Sequence, residues 1–125
     1  MLNDNAKKWV EALRSGQYRQ GKGVLNNRDT YCCLGVACEV AVKNKVLDVQ
    51  YEDYPNFNYK VYDGYKTQLP PSVMEWLGVR TPMGAYKKPY TSLAILNDYD
   101  NYTFDMIANV IESEPPGLFV DIKES

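Results

Sequence analysis

Two groups of cations and a run of tyrosines are the residues of this 125-residue chain best suited to hold a ligand. Arg19, Lys22 and Arg28 share one stretch, with Gly21 and Gly23 on either side of the lysine. Backbone N–H groups in such a stretch can wrap an anion, and the cations would then hold it. It is not a nucleotide-hydrolase phosphate loop, because no strand, glycine-rich turn and helix with Lys-Ser/Thr follow one another. A second basic group, Arg80, Lys87 and Lys88, lies between Val79 and Tyr90, where Pro82, Gly84 and Pro89 mark a loop. A loop of that length in so small a domain is often functional. Tyr59 and Tyr62 belong to a segment that also holds Tyr51, Tyr54, Phe57 and Tyr65. Tyrosine offers wide, rigid contact area at low entropic cost, which suits a protein partner or a nucleobase. The competing reading is that these rings merely cover the edge of a small core. The candidate ligand-binding residues are therefore Arg19, Lys22, Arg28, Tyr59, Tyr62, Arg80 and Lys87.

Catalysis has fewer residues to draw on. Histidine is absent, so a Ser-His-Asp or Cys-His pair within the chain is impossible, as is a His-containing metal site. Acid-base work would fall to Asp, Glu, Lys, Tyr or Cys. Cys32, Cys33 and Cys38 lack the paired spacing of a zinc site, and disulfides among them would fight a helix. Buried free thiols are the simplest reading. Asp98, Asp100 and the residues after them resemble the start of a calcium loop. Thr103 stands where that loop requires glycine, however, and Asn109 where it requires glutamate. No metal or other cofactor is expected.

The net charge of −2 hides an uneven distribution. Residues 1 to 30 carry Lys7, Lys8, Arg14, Arg19, Lys22 and Arg28 against Asp4, Glu11 and Asp29. The last thirty run the other way, with Asp98, Asp100, Asp105, Glu112, Glu114, Asp121 and Glu124 against Lys123. Such a chain could pair its own ends or steer a charged partner. It lacks the basic excess of a duplex-DNA binder. No apolar span is long enough for a membrane helix, and the opening Met-Leu-Asn-Asp-Asn does not read as a secretion signal, so a cytoplasmic protein is expected.

The elements that must position these residues are organised around Tyr31 to Val42, where Glu39 is the single charge among apolar, aromatic and glycine residues. This run predicts a helix buried on most of its circumference. Gly35 costs it about 1 kcal/mol of helix propensity, which makes sense if another element crosses there. A first helix is predicted over Ala6 to Ser15, capped by Asp4 or Asn5, with Ala6, Trp9, Val10 and Leu13 on one face and Gly16 ending it. Gln17 to Thr30 reads as a short hairpin or loop with a turn at Asn26-Asn27. Val46 to Val49 suggests a short strand. Asp63-Gly64 between Asn58–Tyr62 and Tyr65–Gln68 is a type I′ hairpin signal. Pro71 to Leu77 reads as a helix closed by Gly78. Thr91 is expected to cap a helix through Leu96, and Thr103 one over Phe104 to Ser113. Leu118 to Ile122 reads as a final strand or extended tail. The expected fold is a single α+β domain over residues 1–125: several short helices around a buried central helix (about 31–42), with a small antiparallel sheet or hairpin (about 57–68). The aromatic surface would suit a homodimer.

Several of these segments carry a resemblance. Trp9 to Leu13, Ser15-Gly16-Gln17-Tyr18 and Tyr31-Cys32-Cys33-Leu34-Gly35-Val36-Ala37-Cys38-Glu39 open the pattern. It continues through Leu69-Pro70, Trp76-Leu77-Gly78, Leu93 to Asp98, Thr103-Phe104, Ile107-Ala108, Ile111-Glu112 and Gly117-Leu118-Phe119-Val120. Together they resemble a family of small proteins encoded by tailed phages and prophages, with departures in the tyrosine-rich segment 46–68. The resemblance implies a phage accessory protein made in an infected bacterial cell, and it brings no catalytic residue with it. The expected function is non-catalytic: binding a host protein or a small anionic, nucleotide-like metabolite, and so interfering with host regulation or defence. The alternatives are a small enzyme with one of the three cysteines as nucleophile, and a virion or assembly component.

Overall fold

A computed structural model of the chain describes residues 1–55, 57–87 and 90–120. Among the described residues five helices build one core: α1 (Asp4–Arg14), α2 (Cys33–Lys43), α3 (Pro71–Leu77), α4 (Leu93–Asp98) and α5 (Phe104–Glu112). Helices α1, α3 and α4 pack on α2, and α5 packs on α1 and α4. Three small sheets complete an α+β domain. β1 (Arg19–Gln20), β2 (Asn26–Asn27) and β3 (Thr30–Tyr31) form one, in the order β1-β3-β2. β4 (Val49–Asp53) pairs antiparallel with β5 (Asn58–Tyr62), and β6 (Ala85–Tyr86) with β7 (Thr91–Ser92).

The central helix is buried as its composition requires, with Cys33, Leu34, Gly35, Val36, Ala37, Cys38, Val40 and Ala41 all inside. It begins two residues later than the apolar run does. Tyr31 is extended and pairs with Gln20 on one side and Asn26 on the other, so sheet hydrogen bonds outcompete helix there. Cys32, at the N-cap, makes no side-chain cap bond. The side-chain oxygen of Asn97, from α4, accepts from the Cys33 N–H instead, at 3.2 Å. At the other end Lys45 takes the left-handed conformation, and the Val46 N–H reaches back to the Ala41 carbonyl, which closes the helix as a Schellman motif. Gly35 faces the backbone of the crossing segment. A Cβ built there would lie 1.7 Å from the Leu25 carbonyl oxygen.

On α1, Ala6, Trp9, Val10 and Leu13 are the buried face, as their spacing predicts, and the Trp9 indole N–H donates to the Cys33 carbonyl at 3.0 Å. The cap is Asn3, one residue before the expected pair. Gly16 is left-handed. The oppositely charged ends of the chain do meet. Arg14 lies 2.6 Å from Glu112, and the terminal ammonium 3.2 Å from Glu114.

The turn at Asp63-Gly64 forms with positive φ at both residues, and Tyr62 and Tyr65 exchange backbone hydrogen bonds across it. Pairing stops after that bridge, because the next carbonyl, of Lys66, accepts from Leu25 N–H and Leu69 N–H donates to Pro82. The longer partner of β5 is upstream, at Val49–Asp53, just beyond the predicted 46–49 strand. Asn26-Asn27 is likewise strand rather than turn, and Arg28, at φ 56°, begins the turn. The cap of α4 is Ser92 rather than Thr91, and Thr103 caps α5 as expected. Near the end of the described chain Phe119 bridges Val79, while residues 121 and 122 of the expected final strand lie outside the described residues.

Candidate functional site

The first basic group does not assemble into an anion site. Arg19 sits 3.3 Å from Asp29, and Lys22 donates to the side-chain oxygen of Asn101 at 2.6 Å. The N–H groups proposed to wrap an anion are already used: Gly21 donates to the Tyr31 carbonyl and Gly23 to the Asp98 carboxylate. A carboxylate at that point repels an anion. Arg28 lies on the β2–β3 turn, where its backbone N–H is bound to the Asn58 carbonyl. This segment instead closes a polar node around the fully buried Asn97. Its oxygen accepts from Gln20 and from Cys33 N–H, and its amide donates to the Gly21 carbonyl and to Asp98. A buried amide with its hydrogen-bonding capacity filled in this way is structural.

The two candidate tyrosines part company. Tyr62 is fully buried, so it offers no surface to a partner. Its hydroxyl donates to the Glu39 carboxylate at 2.6 Å, and burial followed by that hydrogen bond holds its pKa far above the ordinary tyrosine value. The same carboxylate takes Lys60 at 3.2 Å, and Lys60 also donates to the Tyr31 hydroxyl at 2.8 Å. Burial disfavours the Lys60 ammonium, but Tyr31 and Glu39 outweigh it and leave the pKa raised. Glu39, the lone charge of the central run, is thus the anchor that ties the β4–β5 hairpin to α2. Tyr59 is half-buried, stacked on Phe57 with ring centres 5.2 Å apart and edge-on to Tyr54. Tyr51, Tyr54 and Phe57 are exposed beside it.

All three thiols are inside the core and free. Burial pushes Cys32 up to about 11 and Cys33 and Cys38 well above the usual thiol range, the reverse of what a nucleophile needs. The Cys33 thiol faces the Leu93 carbonyl at 3.6 Å. A disulfide-exchange reagent at pH 7.5 should therefore label native protein at least about a hundredfold more slowly than guanidinium-unfolded protein. Equal rates in the two states would restore the cysteine-enzyme reading.

Arg80 and Lys87 do come together. They line one groove of about 430 Å³ with Thr81, Ala85, Tyr86, Tyr90, Pro116 and Gly117. Two elements make it: the strand pair β6–β7, and the segment just after α3 where it meets the C-terminal stretch. The Arg80 N–H donates to the Leu118 carbonyl at 2.9 Å and the Lys87 N–H to the Pro116 carbonyl at 2.8 Å. These bonds bring the two cations to a common wall. Gly117, at φ 90°, lets the chain turn against Tyr86 and Lys87. Tyr86 is buried as the floor, and burial, reinforced by Tyr102 and Asp100, raises its hydroxyl pKa. Thr81 accepts from the Ala85 N–H at 2.7 Å, which leaves its hydroxyl hydrogen to give. None of the eight lining residues is acidic. Lys88, the third cation expected here, lies outside the described residues.

The contrast with the larger groove between α1 and α5, about 500 Å³, decides between them. Of its two cations, Arg14 is matched by Glu112, which lowers the Glu112 pKa and raises that of Arg14, and Lys7 lies 3.9 Å from Asp4, while Glu11 adds a further negative charge to the lining. Among the described residues no group of three or more Cys, Asp or Glu side chains could hold a metal ion, and no helix is long and apolar enough to cross a membrane. Thr81, Ala85, Tyr86 and Tyr90 lie in the 79–90 loop but were not among the candidate residues, and Pro116 and Gly117 lie outside that loop altogether. The only local signal was the Pro-Pro-Gly break itself, which marks a turn but not what it meets.

Comparison with curated proteins and with solved structures finds no match. A family model described as "Domain of unknown function (DUF8296)" matches residues 1–115. That span contains α1 to α5 and all three sheets, so the chain belongs to the DUF8296 family.

Proposed function

We propose that this chain is a small non-catalytic binding protein that captures a small anionic ligand in the Arg80–Lys87 groove. The observation that carries the reading is the convergence of these two cations, 7 residues apart in sequence, on one concave surface with no acidic side chain among its described lining residues. Its volume falls in the range of small-molecule sites. With the thiols buried, no cysteine nucleophile reaches this groove; a sequestering protein needs none. The sequence resemblance supports a protein that acts in the cytoplasm of a phage-infected bacterium, where removing an anionic metabolite or signal would blunt host regulation or defence.

The test is to incubate the purified protein with bacterial extract, identify the retained small molecules by mass spectrometry, and titrate them calorimetrically. Arg80→Ala with Lys87→Ala is expected to weaken binding by at least about 100-fold, since each hydrogen bond to a charged group contributes roughly 1.5–3 kcal/mol and two are lost. Binding should also fall with salt. If nothing anionic is retained, or the double variant binds as the parent does, the reading is wrong. The exposed Tyr51, Tyr54 and Phe57 beside Tyr59 favour a second reading, in which a host protein or a second copy of the chain is the partner. A pull-down with a Tyr54→Ser, Phe57→Ser variant separates the two.

A further inference from the structure

We infer that the groove selects a ligand with an aromatic ring as well as an anionic group, a nucleoside phosphate in class, and that Tyr90 is the platform on which its base stacks. This rests on the proposed anion-binding reading. Tyr90 lines the groove yet leaves 80% of its surface open to water. Tyr99, as exposed, and Tyr51 line none of the cavities described for this fold. The neighbouring Tyr86 is spent as floor, so Tyr90 supplies the free ring face in the groove.

The polar groups suit the rest of such a ligand. A guanidinium can grip a phosphate with two parallel N–H groups, and an ammonium adds a point charge beside it. The Thr81 hydroxyl is placed to donate to a sugar or phosphate oxygen. A bare inorganic anion would use the cations and leave the tyrosine idle. A base would use its face, and stacking tolerates any base, because each has a π surface. The groove is small and concave, which favours a mononucleotide over an extended nucleic acid.

The experiment is calorimetric and NMR titration of the full chain, at low salt, with AMP, GMP, ribose 5-phosphate and inorganic phosphate. The parent protein is expected to bind both nucleotides at least about tenfold more tightly than ribose 5-phosphate. Tyr90→Ala should abolish that preference by weakening nucleotide binding about tenfold, and Tyr90→Phe should preserve it. Because Tyr90 is exposed, neither change threatens the fold. Equal affinity for nucleotide and sugar phosphate, unaltered by Tyr90→Ala but weakened by Arg80→Ala, would overturn the stacking inference and leave the anion site standing. No binding of any of the four, or binding indifferent to Arg80→Ala, would remove both.

Discussion

Gly35→Ala is expected to destabilise the protein by about 4 kcal/mol or more, a large part of the 5–15 kcal/mol typical of a domain this size. Within an ordinary helix the same exchange stabilises by about 1 kcal/mol, because alanine loses less backbone entropy. Here the added methyl would meet the Leu25 carbonyl oxygen at 1.7 Å and its carbon at 2.7 Å. These are backbone atoms, so no side-chain rotation relieves the clash. The crossing segment is also pinned, since Leu25 N–H donates to Lys66 and Asn26 pairs with Tyr31. Either α2 or the strand must move, and both are in the core. A thermal melt checks this, with a drop of roughly 15 °C expected. Gly16→Ala is the control: nothing lies near its Cβ, and only its left-handed φ is strained, which costs about 1 kcal/mol. A Gly35→Ala melt no lower than that of Gly16→Ala would mean that the segment does not cross α2 at Leu25.

The second large effect is alkaline unfolding. In the unfolded chain the thiols titrate near 9.0, whereas burial keeps all three protonated well above that in the folded protein. A folded pKa raised above its unfolded value means the native state binds more protons in the interval between them. Stability is then intact below pH 9 and falls as pH rises toward the folded values. Each group contributes a slope of up to about 1.4 kcal/mol per pH unit, so three thiols together approach about 4 kcal/mol per unit between roughly pH 9.5 and 11. Tyr62 and Lys60, also raised, steepen the loss at the upper end. Urea melts under reducing conditions, at pH 8 to 10.5, measure the slope directly. Cys38→Ala should flatten it by about a third, because one of the three buried protons is gone. A stability that is level to pH 10.5 would place the thiols in contact with water.

Both effects begin in the segment 31–43, and its burial was legible without coordinates. A helix face repeats every 3.6 residues, so Ala6, Trp9, Val10 and Leu13 identify themselves from their spacing, as do Phe104, Ile107, Ala108 and Ile111. Turn chemistry is equally local. Asp63-Gly64 and Gly78 adopt the conformations their residue types favour, and Gly35 in an apolar helix pointed to a crossing chain. The buried thiols followed from the same run.

What lay outside the reach of the sequence is whatever two distant segments decide together. Residues 65–68 carry a good strand pattern, but the Lys66 carbonyl was claimed by Leu25 and Leu69, the residue that follows them, by Pro82, and β5 took Val49–Asp53 instead. Tyr62 and Tyr59 look alike in sequence. One is core and the other half-exposed, because Glu39 on α2 draws the Tyr62 hydroxyl inward. Asn97 caps a helix that starts 64 residues earlier. The groove has the same origin. Arg80 and Lys87 line one groove because Pro116 and Leu118 accept their backbone N–H groups, whereas Arg19 and Lys22 are claimed by other side chains and Arg28 is held apart on the β2–β3 turn. Local spacing sets which face of an element is apolar. Which charges share a surface is set by hydrogen bonds between chain segments far apart, and no short stretch of sequence records those.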